Sequence, residues 1–194
     1  MLDANDRSAF TIDSGSWGYS RVSPLDHYLN ITTVLYELVS TVAYGGNILI
    51  NVGPTADGRI ATIFQERLRQ MGAWLGTNGE AVYNTTTWRE QNDTVSHGIE
   101  RGVYYTASKA VDAAGSPIAV YAFVMGWPTD NEITLTQPRT EASTTVRMLG
   151  CEQPMTWKPA SSAAAGLVIT IPPLNVKQLP SLEGPWVFEM RSVG

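Results

Sequence analysis

The stretch GGNILINVGPTADGRIATIFQERL, from Gly45 to Leu68, decides the fold class. A glycine pair precedes a run with apolar residues on both faces, residues 47–53, and a turn containing Pro, Asp and Gly follows at 54–58. Apolar residues on both faces are typical of a strand in a parallel sheet that is covered on both sides, and Pro and Gly mark the turn that ends it. The stretch therefore predicts a buried strand that passes into a helix.

A helix is predicted on each side of this strand. Before it, apolar residues recur at the spacing of one helical face until Gly45-Gly46, where the helix should end; they are Ile31, Val34, Leu35, Leu38, Val39 and Val42. After the turn, Thr62-Ile-Phe-Gln65 has capping-box spacing, and the pattern continues to Asn78-Gly79. Helix, buried strand and helix form a piece of an α/β fold. Because one such strand needs neighbours at both edges, we expect most of the α/β domain to lie outside this chain or to be supplied in trans.

From Val82 onward the periodicity changes to short β-favouring runs separated by turn residues, which predicts an antiparallel β-sandwich. The six runs are 103–106, 118–124, 132–136, 144–149, 166–171 and 186–190. We therefore divide the chain into an α/β part, residues 1–80, and a β-sandwich, residues 81–194. We expect residues from about 95 onward to form a unit that resists proteolysis by itself, while residues 1–75 are cut readily.

Composition excludes several classes of function. The net charge is -5 and the thirteen Lys and Arg are scattered, which disfavours nucleic acid as a partner, and no apolar run is long enough to cross a membrane. One cysteine, Cys151, and two histidines, His27 and His97, leave little material for a metal site, and no cofactor is suggested. The N-terminus has no signal peptide, yet sequons at Asn30, Asn84 and Asn92 predict N-glycosylation of an exported protein, unless they occur by chance.

Catalytic motifs are few. The chain has no Gly-x-Ser-x-Gly, and the turn at 53–58 lacks the Lys-Ser/Thr ending of a phosphate-binding loop. A glycosidase needs two carboxyl groups. Asp57 in a turn and Glu66 on a solvated helix face are more simply interpreted as structural residues. Asp13 precedes Ser16-Trp-Gly-Tyr19, where aromatic residues cluster as they do around a sugar ring. A hydrogen-bonded loop aspartate is the favoured interpretation of Asp13, with a site carboxylate as the alternative.

The ordered blocks of the chain resemble one family. The chain is similar, over roughly residues 11–193, to the C-terminal half of the animal tissue-type α-L-fucosidases, glycoside hydrolase family 29. The blocks that carry the resemblance are Ser16-Trp-Gly-Tyr19, residues 35–42, Gly45 to Gly58, Ile63 to Leu68, Asn78 to Tyr83 and Trp88-Arg89. The resemblance implies the last strand and flanking helices of a (β/α)8-like barrel followed by an antiparallel β-sandwich.

The resemblance also implies a function. Family members remove terminal α-L-fucose from glycoproteins and glycolipids with retention of configuration, and they are lysosomal or secreted. Fucosylated glycans would be the partners, and the full-length enzyme could be a homo-oligomer. The family's nucleophile would lie upstream of Met1, so we expect no catalytic residue in this chain and no activity from it alone. Arg7 stands where animal members carry a glutamate, and we therefore expect Met1 to about Phe10 to depart from the family.

Two substrate-binding residues follow from the resemblance and the predicted strand. The aromatic residue that Trp17 matches lines the fucose pocket, where a flat apolar wall suits the methyl group of the sugar. Asn51 lies at the carboxyl end of the buried strand, the face where barrel sites are built, although a structural amide bond is an equal alternative.

A non-catalytic β-sandwich module that binds glycan or supports a partner is the second hypothesis for the chain. Trp127, Trp157 and Trp186 would form its sugar platform, or else belong to the core.

Overall fold

The structure is a computed structural model that describes residues 7–93, 99, 102–160, 166–181 and 183–194. Met1 to Asp6, His97 and the end of the third sequon, Thr94, lie outside the described residues. The elements are β1 (Arg7–Thr11), α1 (Ile31–Ala43), β2 (Asn47–Asn51), α2 (Thr62–Asn78), β3 (Thr85–Asp93), β4 (Val103–Ser108), β5 (Val120–Val124), β6 (Glu132–Leu135), β7 (Thr140–Met148), β8 (Thr156–Pro159), β9 (Leu167–Thr170) and β10 (Trp186–Val193).

The helix predicted before the strand is confirmed as α1. Asn30 caps it, because its Oδ1 accepts a hydrogen bond from the amide of Thr33 at 2.8 Å. The helix ends where Gly45 adopts φ 80°, and the amides of Gly45 and Gly46 bond back to the carbonyls of Val42 and Thr41. The apolar face that the spacing predicted is buried, apart from Val42, which is half-buried.

The helix predicted after the turn is confirmed as α2, but the capping box is wrong. The helix begins at Thr62 itself, and the preceding residue, Ala61, offers no side chain to cap it. Gln65 instead donates from Nε2 to the carbonyl of Ile60 at 2.7 Å. The reason is that the helix begins one residue earlier than a Thr62 cap would require, so that Ala61 occupies the cap position.

The predicted strand is β2, and it pairs in parallel with β1, whose last residue, Thr11, lies opposite Asn51. The sequence did not predict β1, because its five residues show no clear alternation. The prediction that the strand is buried on both faces is wrong for this chain: Leu49 is 57% exposed, and Ile48 and Ile50 are half-buried. Among the described residues, β2 has one neighbouring strand and packs against α1, so its other face is open.

The sandwich predicted for the second part is confirmed. A five-stranded sheet has the order β3-β4-β5-β10-β7, a three-stranded sheet has the order β6-β9-β8, and every pairing in them is antiparallel. All six predicted runs are strands. The sequence missed β3 and β8, because both are edge strands whose residues are mostly exposed. A largely polar edge strand lacks the apolar signal by which strands are recognised.

Strand β5 is buried on both faces and joins the two parts of the chain. Val120, Ala122 and Val124 lie in the core between the two sheets. Tyr121 and Phe123 lie in a second core, which also contains five residues of α1 and Trp74 of α2. The α/β and sandwich parts, 1–80 and 81–194, therefore share a core, which argues against the independence expected of the sandwich.

Polar contacts reinforce this junction. The indole of Trp74 donates to the carbonyl of Pro185 at 2.8 Å, and the hydroxyl of Thr106 donates to the carbonyl of Ala81 at 2.8 Å. Arg147 on β7 pairs with Glu80 at 2.7 Å and also with Glu189 on β10, which is 2% exposed. The hydrogen bond to Glu189 raises the pKa of Arg147, so the guanidinium remains charged at this contact.

Three tyrosines of the five-stranded sheet have raised pKa values. Burial is the largest cause of the raised pKa for Tyr104, Tyr105 and Tyr121. Tyr104 is also paired with Tyr36 of α1, with 3.2 Å between the two hydroxyl oxygens, and this hydrogen bond raises its pKa further. Each of these phenols is therefore held in the neutral form by the fold.

We expect alkaline pH to destabilise the protein through these phenols. A folded-state pKa above the unfolded value means that the unfolded chain loses its proton first, so the stabilisation is fully present below about pH 10 and is lost as the pH rises above it. Denaturant titrations at a series of pH values should show the free energy of unfolding falling more steeply above about pH 10 in the wild type than in Tyr104→Phe. Equal slopes for the two proteins would contradict this assignment.

Candidate functional site

The candidate site lies at the carboxyl ends of the parallel strands β1 and β2. The chain leaves β1 into a loop, residues 14–28, and leaves β2 into a turn, residues 52–61. Because both segments follow the carboxyl ends of adjacent parallel strands, they meet at one edge. This is the edge at which sites form in parallel α/β folds.

Asn51 connects the two strand ends to Trp17. Its side-chain amide donates to the carbonyl of Trp17 at 2.6 Å and to Oγ1 of Thr11 at 3.2 Å. The indole of Trp17 is 57% exposed at this edge. The structure thus brings the two predicted substrate-binding residues together, with Asn51 holding the backbone of the loop and Trp17 presenting its ring to solvent. Direct binding by either side chain stays a prediction.

Asp13 shapes the same loop from inside. It is fully buried, and its two carboxylate oxygens accept hydrogen bonds from the amide of Gly15 at 3.0 Å and the hydroxyl of Ser23 at 2.7 Å. Ser14 adds two further bonds, from its amide and its hydroxyl, to the carbonyl of His27. This is the hydrogen-bonded loop aspartate that the sequence favoured. Asp13 holds the base of the loop and does not face the site.

The turn after β2 packs directly on the loop. A Cβ at Gly53 would lie 2.3 Å from the amide nitrogen of Tyr19, so only glycine allows this approach. Thr55 fixes the turn, since its hydroxyl donates to Asp57 at 2.5 Å and accepts from the amide of Arg59 at 3.0 Å. A cleft of about 410 Å³ lies between loop and turn. Its lining residues are Tyr19, Arg21, Thr55, Ala56 and Asp57.

Sequence reasoning did not assign Tyr19 or Arg21 to the site. The signal that could have found Tyr19 is its place beside Trp17 in the aromatic cluster Ser16-Trp-Gly-Tyr19. Arg21 has no comparable signal, because an arginine in a polar loop is ordinarily solvated. Arg21 can be assigned to the site only from the cleft that it lines together with the turn after β2.

The described carboxylates near this edge have structural positions. Asp57 forms an ion pair with Arg59 at 3.1 Å, and Glu66 is exposed on α2, as the sequence indicated. Within the described ranges, no group of His, Cys, Asp and Glu side chains is arranged to hold a metal ion. None of the helices described is both long and apolar enough to cross a membrane. The groups available for binding at this edge are therefore aromatic side chains and polar side chains.

Comparison with known families shows to which family the chain belongs. The family described as Alpha-L-fucosidase matches residues 4–80, and the family described as Alpha-L-fucosidase C-terminal domain matches residues 91–191, more than half of the chain. The chain belongs to the α-L-fucosidase family. The first match also corrects an expectation: residues 4–10 lie within the match to the family, and residues 7–10 belong to β1, the partner of β2.

Individual fucosidases support this membership. The plasma α-L-fucosidase of Rattus norvegicus is 43% identical over 100% of this chain, and the tissue α-L-fucosidase of Bos taurus is 38% identical over 94% of it. A structure of the Thermotoga maritima α-fucosidase in complex with fucose superimposes with a TM-score of 0.74 and 27% identity over 95% of this chain. This chain spans 39% of the length of the rat relative and 39% of the Thermotoga chain.

The tryptophans proposed as a sugar platform on the sandwich pack against its core. Trp127 and Trp186 meet edge to face with ring centroids 5.0 Å apart, and all three rings are half-buried. The indole N–H groups of Trp157 and Trp186 donate to the carbonyls of Thr144 and Ser181. These contacts favour the core interpretation over the platform.

The three sequon asparagines are exposed. Asn84 has φ 55° immediately before β3, Asn30 caps α1, and the side-chain amide of Asn92 donates to the hydroxyl of Tyr44 at 2.7 Å. Glycan attachment uses the side-chain nitrogen of asparagine. Glycosylation at all three positions stays a prediction, and at Asn30 it would leave the capping oxygen in place.

We expect Asn51→Asp to loosen the loop around Trp17. The substitution removes the amide donor and places a carboxylate against the carbonyl of Trp17, which costs about 1–3 kcal/mol. Hydrogen exchange should show faster exchange for amides in residues 14–28, whereas Asn47→Asp, at the opposite end of β2, should leave them unchanged. Unchanged exchange in Asn51→Asp would refute a positioning role for Asn51.

A second substitution series separates the two roles of Asn30. Asn30→Ala removes both the cap and the sequon and should lower the free energy of unfolding by about 1 kcal/mol. Asn30→Asp keeps a capping oxygen and Thr32→Ala keeps Asn30 itself, so both should retain the cap while losing the sequon. Thermal unfolding of the unglycosylated proteins measures the cap, and mass spectrometry of protein from a secretory host measures glycan occupancy. Equal stability of Asn30→Ala and Asn30→Asp would show that the cap contributes nothing.

Proposed function

We propose that this chain forms the closing part of the active site of a retaining α-L-fucosidase. The observation that carries the proposal is the exposed ring of Trp17 at the carboxyl edge of two adjacent parallel strands, held there by Asn51. Family membership and the similarity to a fucosidase that was solved with fucose support it. The strands β1 and β2 are then two neighbouring strands of a (β/α)8-like barrel, rather than the single strand that the sequence suggested.

In this function Trp17 binds the sugar. A flat apolar ring is a suitable wall for the methyl group and the C–H face of fucose, while polar groups elsewhere fix its hydroxyls. Asn51 acts through Trp17: its amide fixes the carbonyl of residue 17 and thereby the direction of the ring. The buried carboxylate of Asp13 holds the base of the loop by hydrogen bonds, so that the aromatic surface of Trp17 is in place before substrate arrives.

The chemical step needs groups beyond this chain. Retaining hydrolysis requires a nucleophilic carboxylate and an acid/base carboxyl about 5–5.5 Å apart. Near Trp17 the described chain offers Asp13, which is buried in hydrogen bonds, and Asp57, which pairs with Arg59. The nucleophile is therefore assigned to a segment that precedes residue 1 in the longer relatives, and this chain binds and orients the substrate.

The biological setting follows from the same proposal. The substrates are fucosylated glycans of glycoproteins and glycolipids, and the place of action is the lysosome or the extracellular space. The related plasma and tissue fucosidases and the exposed sequons support this setting. Homo-oligomerisation of the full-length enzyme is a further expectation from the family.

An aryl fucoside assay tests the proposal. The isolated chain should show no turnover, because it lacks the nucleophile. A chimera of the rat plasma fucosidase, in which this chain replaces the segment that it matches, should hydrolyse the aryl fucoside, and Trp17→Ala should lower its kcat/KM about tenfold through the lost ring contact. The rat enzyme truncated before that segment is the negative control.

Two outcomes would overturn the proposal. Clear turnover by the isolated chain would place the nucleophile within it. A chimera that unfolds cooperatively like the rat enzyme, yet cleaves no fucoside, would show that this chain cannot complete a fucosidase site.

A further inference from the structure

The cleft beside Trp17 is open to solvent and has the size of a ligand site. Its volume is about 410 Å³, and a second hollow of about 810 Å³, towards the start of α2, shares Tyr19, Thr55 and Asp57 with it. Sites for small molecules typically enclose about 300–1,000 Å³. The two hollows therefore offer space for one or more sugar units beside Tyr19, which follows Trp17 by two residues in the same loop.

The walls of this cleft are fixed by the backbone. Gly53 lies directly against Gly18 and Tyr19, so the loop cannot move towards the turn. The turn is closed by bonds from the amide of Thr55 to the carbonyl of Arg59, 2.8 Å, and from the amide of Gly58 to the carbonyl of Thr55, 2.8 Å. A cleft that is formed before binding loses little conformational entropy when a ligand enters.

The chemistry of the lining suits a neutral sugar. Tyr19 is 36% exposed and can pack its ring against C–H groups while its hydroxyl forms hydrogen bonds. Arg21 supplies donors and Asp57 supplies acceptors for sugar hydroxyls. Asp57 and Arg59 neutralise each other as an ion pair, which leaves the guanidinium of Arg21 as the charged donor in the lining.

The position of the cleft relates it to fucose. Trp17 and Tyr19 are separated by one glycine, and both present aromatic surface to solvent from the same loop. A terminal fucose against Trp17 would leave the next sugar of the glycan beside Tyr19. We propose that the cleft formed by Tyr19, Arg21 and Asp57 binds the sugar to which fucose is attached, and so determines which fucosylated glycans are cleaved. This inference rests on the proposed fucosidase function.

Binding to the full 194-residue chain tests the inference without catalysis. N-acetyllactosamine, which lacks fucose, should shift the amide signals of Tyr19, Arg21 and Asp57 in NMR titrations with a dissociation constant of the order of 1 mM. Tyr19→Ala and Arg21→Ala should each weaken binding about tenfold. Tyr83→Ala, which truncates an exposed tyrosine outside the cleft, should bind as the wild type does. Saturable shifts that persist unchanged in Tyr19→Ala, or none in the wild type, would overturn the inference.

The chimeric enzyme gives a second readout that does not depend on how the isolated chain folds. The ratio of kcat/KM for a fucosylated N-acetyllactosamine to kcat/KM for an aryl fucoside should fall about tenfold in Tyr19→Ala and stay constant in Tyr83→Ala. An unchanged ratio in Tyr19→Ala would reject the cleft as the second-sugar site while leaving the fucosidase function intact. A chimera that unfolds cooperatively like the rat enzyme but cleaves neither substrate would reject the fucosidase function itself.

Discussion

Burial of β5 on both faces is the constraint on which the rest of the structure depends. One face of the strand closes the core between the two sheets, and Tyr121 and Phe123 on the other face close the core against α1 and α2. Since hydrophobic burial is the main favourable term in folding, removing either layer would expose apolar surface of the central strand. The helices, of which α1 packs on the site strand β2, are thus attached to the sandwich by the same residues that stabilise it.

The sandwich contributes none of the assigned site residues. It nevertheless supports the site through this arrangement. The sheet holds α1, and α1 packs on β2, whose carboxyl end carries Asn51. Asn51 then fixes Trp17 through its backbone carbonyl. The contacts run from a packed core to a strand, from the strand to one amide side chain, and from that amide to one exposed ring. Rigid elements that hold a binding residue in place reduce the cost of binding.

Strand β2, unlike β5, leaves one face exposed. Leu49 is 57% exposed, and the loop after β1 exposes Val22 and Leu25 as well. The relatives are longer than this chain, which spans 39% of the rat plasma enzyme. In the proposed barrel β2 would have neighbouring strands on both sides, so the proposed function accounts for apolar surface that the described residues leave uncovered.

Strong local patterns were enough to predict several elements. The spacing of apolar residues identified α1 and its buried face, and the six β-favouring runs between turn residues identified the strands of the sandwich that have an apolar side. The edge strands β1, β3 and β8 could not be predicted, because each strand is either short or mostly polar. Trp17 and Asn51 were predicted as substrate-binding residues. Tyr19 and Arg21 were not, because they meet the turn at 52–61 only through the tertiary fold.

The sequence by itself determined the two helices, the strand between them, the six strands with an apolar signal, and the blocks that identify the fucosidase family. Each of these depends on residue type and local spacing. Only the tertiary structure decided that the two parts share a core, that Asn51 holds the loop of Trp17, and that Asp13 is buried away from solvent. These features depend on contacts between residues far apart in the chain, and no local pattern contains the distances that make them.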